Sequence, residues 1–323
     1  MKIYLVALSL IIAAAGCEMP EKPIKPFDRG GVSTETINLT SNYKFQVFYN
    51  LDSQRVVKSV NRMDWDLAFD CSNNHVILTN SGRGIYVAAT NQTDLAAVND
   101  TVGLKFYWGQ PSLDKDSLAF GAWWTQPGKV FVLDMGSDLN GIPLGFMKCI
   151  PELTSENKLK LTYCAIESKT PKHIEVIKDS RFLFSYVSLL NDATLEVEPP
   201  KDQWDFLFTQ YVKLLFDPPY PATRNYEVVG VLHNTTRLEV GYDFKTPFKD
   251  ISSKNIPSKF YTNRDAIGFD WKWFEIGTNS YTVNPGMNYI LKTESGFYYK
   301  LHFLDFYDDK GVKGFPKFEY QKI

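Results

Sequence analysis

Two tryptophan pairs, four histidines and four cysteines are the side chains of this chain best able to do chemistry. The pairs stand in Gly121-Ala-Trp123-Trp124 and Asp270-Trp271-Lys-Trp273. A flat aromatic face stacks on a sugar ring or a porphyrin, which makes Trp123, Trp124, Trp271 and Trp273 ligand-binding candidates. The same side chains also suit the filling of an apolar core. Neutral imidazole donates to metals, yet His75, His173, His233 and His302 stand far apart in sequence and form no spaced ligand set. Met147 and Met287 carry a further soft donor, but methionine more often fills gaps. No Gly-x-Ser-x-Gly elbow, phosphate loop, His-Glu-x-x-His or Cys-x-x-Cys motif occurs. Asp305, Asp308 and Asp309 crowd a turn without the spacing of a calcium loop. With no nucleophile, general base or metal set, the chain reads as a binding protein and not an enzyme, and its metal content is left open.

Composition narrows the class further. Lys plus Arg is 35 and Asp plus Glu is 37, a net charge of -2 that argues against a nucleic-acid partner. An apolar content of 44% over 323 residues supports a sizeable core. The 15% aromatic content leans toward strands, whose half-buried surfaces favour such side chains.

The N-terminus reads as an address. Lys2 precedes an apolar run from Ile3 to Ala15, too short to span a bilayer comfortably. The run ends Ala14-Ala15-Gly16-Cys17, which resembles a bacterial lipobox. Small residues fit a peptidase cleft, and the Cys17 thiol is the nucleophile that takes the lipid. Residues 1–16 are therefore expected to be a signal peptide, with Cys17 the lipid-attachment site. Residues 17–37, with prolines and charges interspersed, are expected to be a flexible tether. This implies a partner membrane held through a lipid anchor. Of the remaining cysteines, Cys149 and Cys164 can bridge if their strands are neighbours; three buried free thiols are the other reading.

An internal repeat organises the rest. Trp65-Asp66-Leu-Ala-Phe69 recurs as Trp204-Asp205-Phe-Leu-Phe208 at an offset of 204 − 65 = 139. Phe45, Val47 and Val56 fall on Phe184, Tyr186 and Leu195 at the same offset, and Phe146-Met-Lys148 lines up with Tyr298-Tyr-Lys300. Two modules are expected, at residues 38–166 and 178–323, with a polar linker at 167–177. Whether they are separate bodies or share a sheet is left open. Alternating runs at Tyr43–Tyr49, His75–Thr79, Lys129–Leu133 and Phe297–Phe303 predict strands. Turn signals at Asn50, Asn80, Asp217, Glu294 and Lys310 separate such runs. No run of helical period stands out, so the fold is expected to be all-β and antiparallel. The tryptophan of each Trp-Asp pair is expected in the core. Asp66 and Asp205 are expected to bond nearby backbone N–H groups rather than to catalyse.

The lipobox, the Trp-Asp strands and the closing hairpin Met287–Phe303 with Gly314–Tyr320 together resemble the HmuY family of Bacteroidetes lipoproteins. The resemblance covers nearly all of the mature chain, once per repeat. It implies two HmuY-like antiparallel β modules in tandem after the lipoprotein signal and tether. It also implies an outer-membrane lipoprotein on the periplasmic or cell-surface face, heme as cofactor, and transfer to an outer-membrane receptor. The departure lies in the ligands. Residues 122–129 and 271–286, just ahead of each closing hairpin, contain no histidine. His75 and His302 are the weak axial candidates that remain. Three functions stay in competition: heme or other iron acquisition, binding of a surface glycan or peptide without heme, and a non-catalytic assembly or adhesion role.

Overall fold

The computed structural model describes residues 30–72, 75–113, 117–215 and 224–323, the side chains of 214, 215, 224 and 225 excepted. The expected signal peptide, Cys17, most of the tether and the turn at Asp217 lie outside them. In chain order the strands are β1 (Ser33–Thr36), β2 (Phe45–Asn50), β3 (Arg55–Asn61), β4 (Leu67–Asp70), β5 (Ile77–Thr79), β6 (Tyr86–Ala89), β7 (Phe131–Asp134), β8 (Phe146–Ser155), β9 (Lys158–Ala165) and β10 (Lys172–Ile177). There follow β11 (Phe184–Ser188), β12 (Ala193–Leu195), β13 (Phe206–Leu215), β14 (Arg224–His233), β15 (Leu238–Asp243), β16 (Lys272–Glu275), β17 (Ser280–Val283), β18 (Asn288–Thr293), β19 (Tyr298–Tyr307) and β20 (Lys313–Lys322). The fold is all-β, and only single-turn helices interrupt it among the described residues.

Two five-stranded sheets run β1-β20-β19-β18-β15 and β10-β9-β8-β7-β6. Two four-stranded sheets run β14-β13-β2-β3 and β12-β11-β4-β5, and β16 and β17 form a separate hairpin. Each five-stranded sheet packs on one four-stranded sheet. One core joins Val47, Tyr49, Phe206 and Phe208 to Val240, Leu291, Leu301 and Phe318. The other joins Leu67, Phe69 and Val187 to Val87, Leu133, Cys149, Leu161 and Tyr163. The other faces of the two four-stranded sheets carry their own clusters, around Phe48, Leu207 and Tyr211 and around Ala68, Leu78 and Tyr186. Val60 and Leu183 pack against both of these clusters. The inner sheets are thus covered on both faces. That is why Leu67-Ala68-Phe69 and Phe206-Leu207-Phe208 are continuous apolar runs, whereas β9 alternates in burial.

The pairing crosses the repeat. β2 bonds β13 through Val47–Phe208 and Phe48–Leu207, and β11 bonds β4 through Tyr186–Ala68. The first strand of each sequence repeat therefore pairs with the Trp-Asp strand of the other, and residues 31–323 form one compact unit. The aspartates sit at these crossings. Asp66 Oδ2 accepts the Leu189 and Leu190 N–H at 2.6 and 3.2 Å, and its other oxygen pairs with Arg83. Asp205 Oδ2 accepts the Leu51 N–H at 2.7 Å, and Oδ1 accepts Arg237 Nε at 2.7 Å. The tryptophans follow suit: Trp65 meets Tyr186 edge-on at 5.1 Å, and Trp204 meets Phe48 at 5.1 Å.

Two boundaries need correction. Ser33–Thr36, expected in the tether, is β1 on the edge of β20, and Ile37 just after it is buried. Of the expected linker 167–177, Lys172–Ile177 is strand β10, with Ile174 and Val176 turned inward in a two-residue period. Both strands are short and polar on their exposed face, which hides them in composition. Cys149 and Cys164 are free. Their strands are neighbours, but Cys149 pairs with Tyr163 and Cys164 with Lys148. Directly opposed residues share a face and successive residues alternate, so the two thiols point to opposite faces and cannot bridge.

Candidate functional site

The four tryptophans do not form one platform. Trp123 is buried, with its Nε1–H on the His75 carbonyl at 2.7 Å. Trp271 is wholly buried, stacked on Phe303 at 4.0 Å, with its N–H on the Gly268 carbonyl at 3.2 Å. Both faces are spent on the core, which corrects their reading as stacking surfaces. Trp124 is half-buried, its ring 6.3 Å from Trp123 and 5.7 Å from His75. Trp273 is 48% exposed on β16.

The structure brings His75, Trp123 and Trp124 together, and leaves the other histidines elsewhere. His75 has a left-handed backbone with φ of 57° and a buried Nδ1 without a partner. Burial, and then the nearby Lys178 charge, lower its pKa. His302 lies on the opposite sandwich, in β19, and does not join it. Its Nε2 meets Glu319 at 2.7 Å and its ring stacks on Phe248 at 4.1 Å, so it is engaged on both counts. His233 is wholly buried, and desolvation pulls its pKa down to about 4. Met147 and Met287 pack partly buried at the rims of the two cores. Among the described residues no group of three or more His, Cys, Asp and Glu side chains is placed to hold a metal ion.

Two open clefts lie on the long excursion between β6 and β7. This segment crosses the outer face of its five-stranded sheet. Leu95, Val98, Leu104 and Phe106 pack there with Ala88, Val132 and Ile150. Lys148, wholly buried beneath it, donates to the Val98 carbonyl at 2.6 Å. The equivalent Lys300 donates to the Phe248 and Ile251 carbonyls at 2.8 and 3.1 Å, so a buried ammonium pins a crossing segment in each half. Past Leu104 the chain returns to the sheet. Tyr107 and Val87 exchange two backbone hydrogen bonds of 2.7 and 2.8 Å.

Tyr107 and Ala89 border clefts on both sides. One, of about 580 Å³, is lined by Phe106, Trp108, Phe120 and Phe131, with Gln110, Ser117, Gln126 and Lys129 among its polar groups. Phe120 and Phe131 lie 5.0 Å apart, and Trp108 meets Tyr86 edge-on at 5.3 Å, so the aromatic walls are braced. The other cleft, of about 620 Å³, is lined by Asn91, Gln92, Asn99, Asp100 and Lys105. Sequence reasoning passed over this region. Its available signal was the run Phe106-Tyr107-Trp108, bounded by Gly103 and Gly109.

No curated protein matches the chain significantly. Among solved structures it is similar to apo PinO from Porphyromonas gingivitis, at 9% identity and a TM-score of 0.37, covering 91% of this chain and 98% of that one. It is also similar to the apo HmuY analog TFO of Tannerella forsythia, at 9% identity and a TM-score of 0.21, covering 92% and 98%. A third is a candidate HmuY_like heme binding protein of Bacteroides vulgatus ATCC 8482, at 13% identity and a TM-score of 0.25, covering 91% and 95%. Figures this low carry nothing about ligands. The family model for HmuY protein matches residues 42–320, from just before β2 to β20. That span takes in both Trp-Asp strands and the closing hairpin, and the chain belongs to the HmuY family.

Proposed function

We propose that this chain is a lipid-anchored, ligand-binding lipoprotein of the outer membrane that holds a flat, apolar ligand of the tetrapyrrole class. The observation that carries the reading is the cleft walled by Phe106, Trp108, Phe120 and Phe131. Its size falls in the range of small-molecule sites, and its few polar groups would orient a ligand rather than react with it. Membership of the HmuY family supports a binding role. The walls suit a macrocycle's faces. They offer iron neither imidazole nor thioether among the described lining residues, and the Tyr107 hydroxyl at the rim is the nearest thing to a familiar axial ligand. The ring therefore fits better than a histidine-ligated iron does. Cys17 and an outer-membrane receptor complete the proposal as anchor and recipient. Among the described residues no helix is long and apolar enough to cross a membrane.

Parallel titrations with hemin and with metal-free protoporphyrin test this. Saturable quenching of tryptophan fluorescence by both, weakened in Phe120→Ala, is the expected result. A Soret change with hemin that is lost in Tyr107→Phe would add iron ligation through the phenol. No saturable signal from either compound refutes the reading.

A further inference from the structure

We infer that the second cleft, on the far side of Tyr107, is a binding site for a neutral, hydroxyl-rich ligand, a glycan. This goes beyond the tetrapyrrole reading; apart from Tyr107 and Ala89, which border both clefts, it rests on different residues. The Tyr107 side chain is 60% exposed, the most exposed aromatic ring of the excursion, while its backbone is fixed by the two bonds to Val87. A rigidly mounted aromatic face open to solvent is what a sugar ring stacks on, because the ring's C–H face is apolar while its edge is not.

The edge partners are also present. Asn91 and Gln92 present exposed side-chain amides at the cleft. Asn99 spends its Nδ2 on the Ala96 carbonyl at 3.2 Å, which leaves its Oδ1 as an acceptor. Asp100 accepts the Val102 N–H at 3.0 Å through Oδ1, and its second oxygen remains for a hydroxyl. Amides and a carboxylate together supply donors and acceptors in alternation, as vicinal hydroxyls require.

Charge narrows the class. Asp100 and Lys105 are the charged side chains of the lining, and they cancel. An anion would meet a carboxylate and a cation an ammonium, so a neutral ligand is the one favoured. With a single carboxylate there is also no calcium-bridged recognition. The floor is stable: Lys148 fixes Val98 beneath the cleft, and Leu95 and Val98 are buried against the sheet. Pre-organisation of this kind lowers the entropy lost on binding.

Saturation-transfer NMR on the folded chain, with neutral oligosaccharides derived from starch, cellulose and chitin, tests the proposal. Transfer to the ring protons of at least one of them is expected. Tyr107→Ala should weaken it by about tenfold, the value of one aromatic stack. Tyr107→Phe should retain most of it, and Trp108→Ala, across the partition, should leave it unchanged. Thermal unfolding of each variant confirms that the fold is kept. No transfer from any of the three at millimolar concentration overturns the inference, as does a Tyr107→Ala variant that binds like the parent. Binding of unstructured peptide in place of every sugar overturns it too. Porphyrin binding has no bearing on any of these outcomes.

Discussion

Glu198 and His233 bracket Arg264 inside the molecule, and their titrations oppose one another. Glu198 accepts the Phe184 N–H at 2.8 Å and the Tyr186 hydroxyl at 3.1 Å, and burial pushes its pKa up from 4.5 to about 7. His233 has both ring nitrogens buried without partners, and burial pulls its pKa down from 6.5 to about 4. Arg264 acts on both in the same sense, lowering each pKa, but desolvation is the larger cause in each. The signs then follow from proton linkage. Between about pH 7 and pH 4.5 the folded state binds more protons at Glu198 than the unfolded chain does, so acidification stabilises. Over the same window the unfolded chain binds more protons at position 233, so acidification destabilises. Each contribution amounts to about 2.5 kcal/mol across the window, and the two nearly cancel. Glu198→Gln keeps an acceptor for the backbone N–H groups and removes the first titration. Its stability should fall, relative to wild type, by about 2.5 kcal/mol on going from about pH 7 to 4.5. His233→Leu should gain by a similar amount over the same interval. Urea unfolding at a series of pH values, with the slope held common, reads both. The groups that titrate elsewhere are shared by all three proteins and drop out of the differences. Three parallel stability curves would refute the opposed titrations.

Other perturbations separate the remaining parts of the structure. Asp66→Ala leaves Arg83, 5% exposed, without its charge partner, and should cost about 3–5 kcal/mol in denaturant unfolding. Asp205→Ala should cost less, about 2 kcal/mol, because the Arg237 side chain is 21% exposed and can turn to water; equal losses would contradict the difference in burial. Lys272 is buried against Trp271 and Phe306, and burial lowers its pKa from 10.5 to about 7. The unfolded chain holds more protons there above that pKa, so stability should rise by about 2–3 kcal/mol between about pH 7 and 9 relative to Lys272→Met; a difference that stays flat with pH counts against this. Lys148→Met removes the bond to Val98, and hydrogen exchange should quicken over residues 94–104 while the rest of the chain is unchanged; uniform exchange would show that the pin is not local.

The strands were legible where the alternation was strong, as at Lys129–Leu133 and Phe297–Phe303, which fall on β7 and β19. The short strands β1 and β10 were not, since two or three inward residues at a sheet edge look like linker until the partner strand is known. The clefts were hidden for a similar reason. Phe106, Phe120 and Phe131 become one wall only when the excursion is laid on the edge of β6, and that placement depends on Val87 and Lys148, remote in sequence. The tryptophan pairs misled because one of each pair is core and the other is not: Trp123 and Trp124 are adjacent on a single-turn helix, and Trp271 is buried just before β16 while Trp273 stands exposed on it.

The repeat itself carries the deeper lesson. An offset of 139 residues relates the two Trp-Asp motifs in sequence and is silent on which strands are partners. The partners are crossed. Asp66 holds the turn that follows β11, and Asp205 holds the turn that follows β2, so each Trp-Asp pair secures a strand from the other repeat. An acidic residue placed directly after the strand's leading tryptophan is suited to this. The tryptophan meets an aromatic ring of the incoming strand edge-on, while the carboxylate receives the N–H groups that strand leaves unpaired at its end. Neither repeat can complete its inner sheet alone, because half the hydrogen-bonding strands of each come from the other. Separate expression of residues 31–177 and 178–323 should therefore yield chains that unfold without cooperativity and bind neither ligand class. Co-expression of the two should restore a folded complex. A cooperatively folded single repeat, monomeric by sedimentation, would show that the crossed pairing is not required.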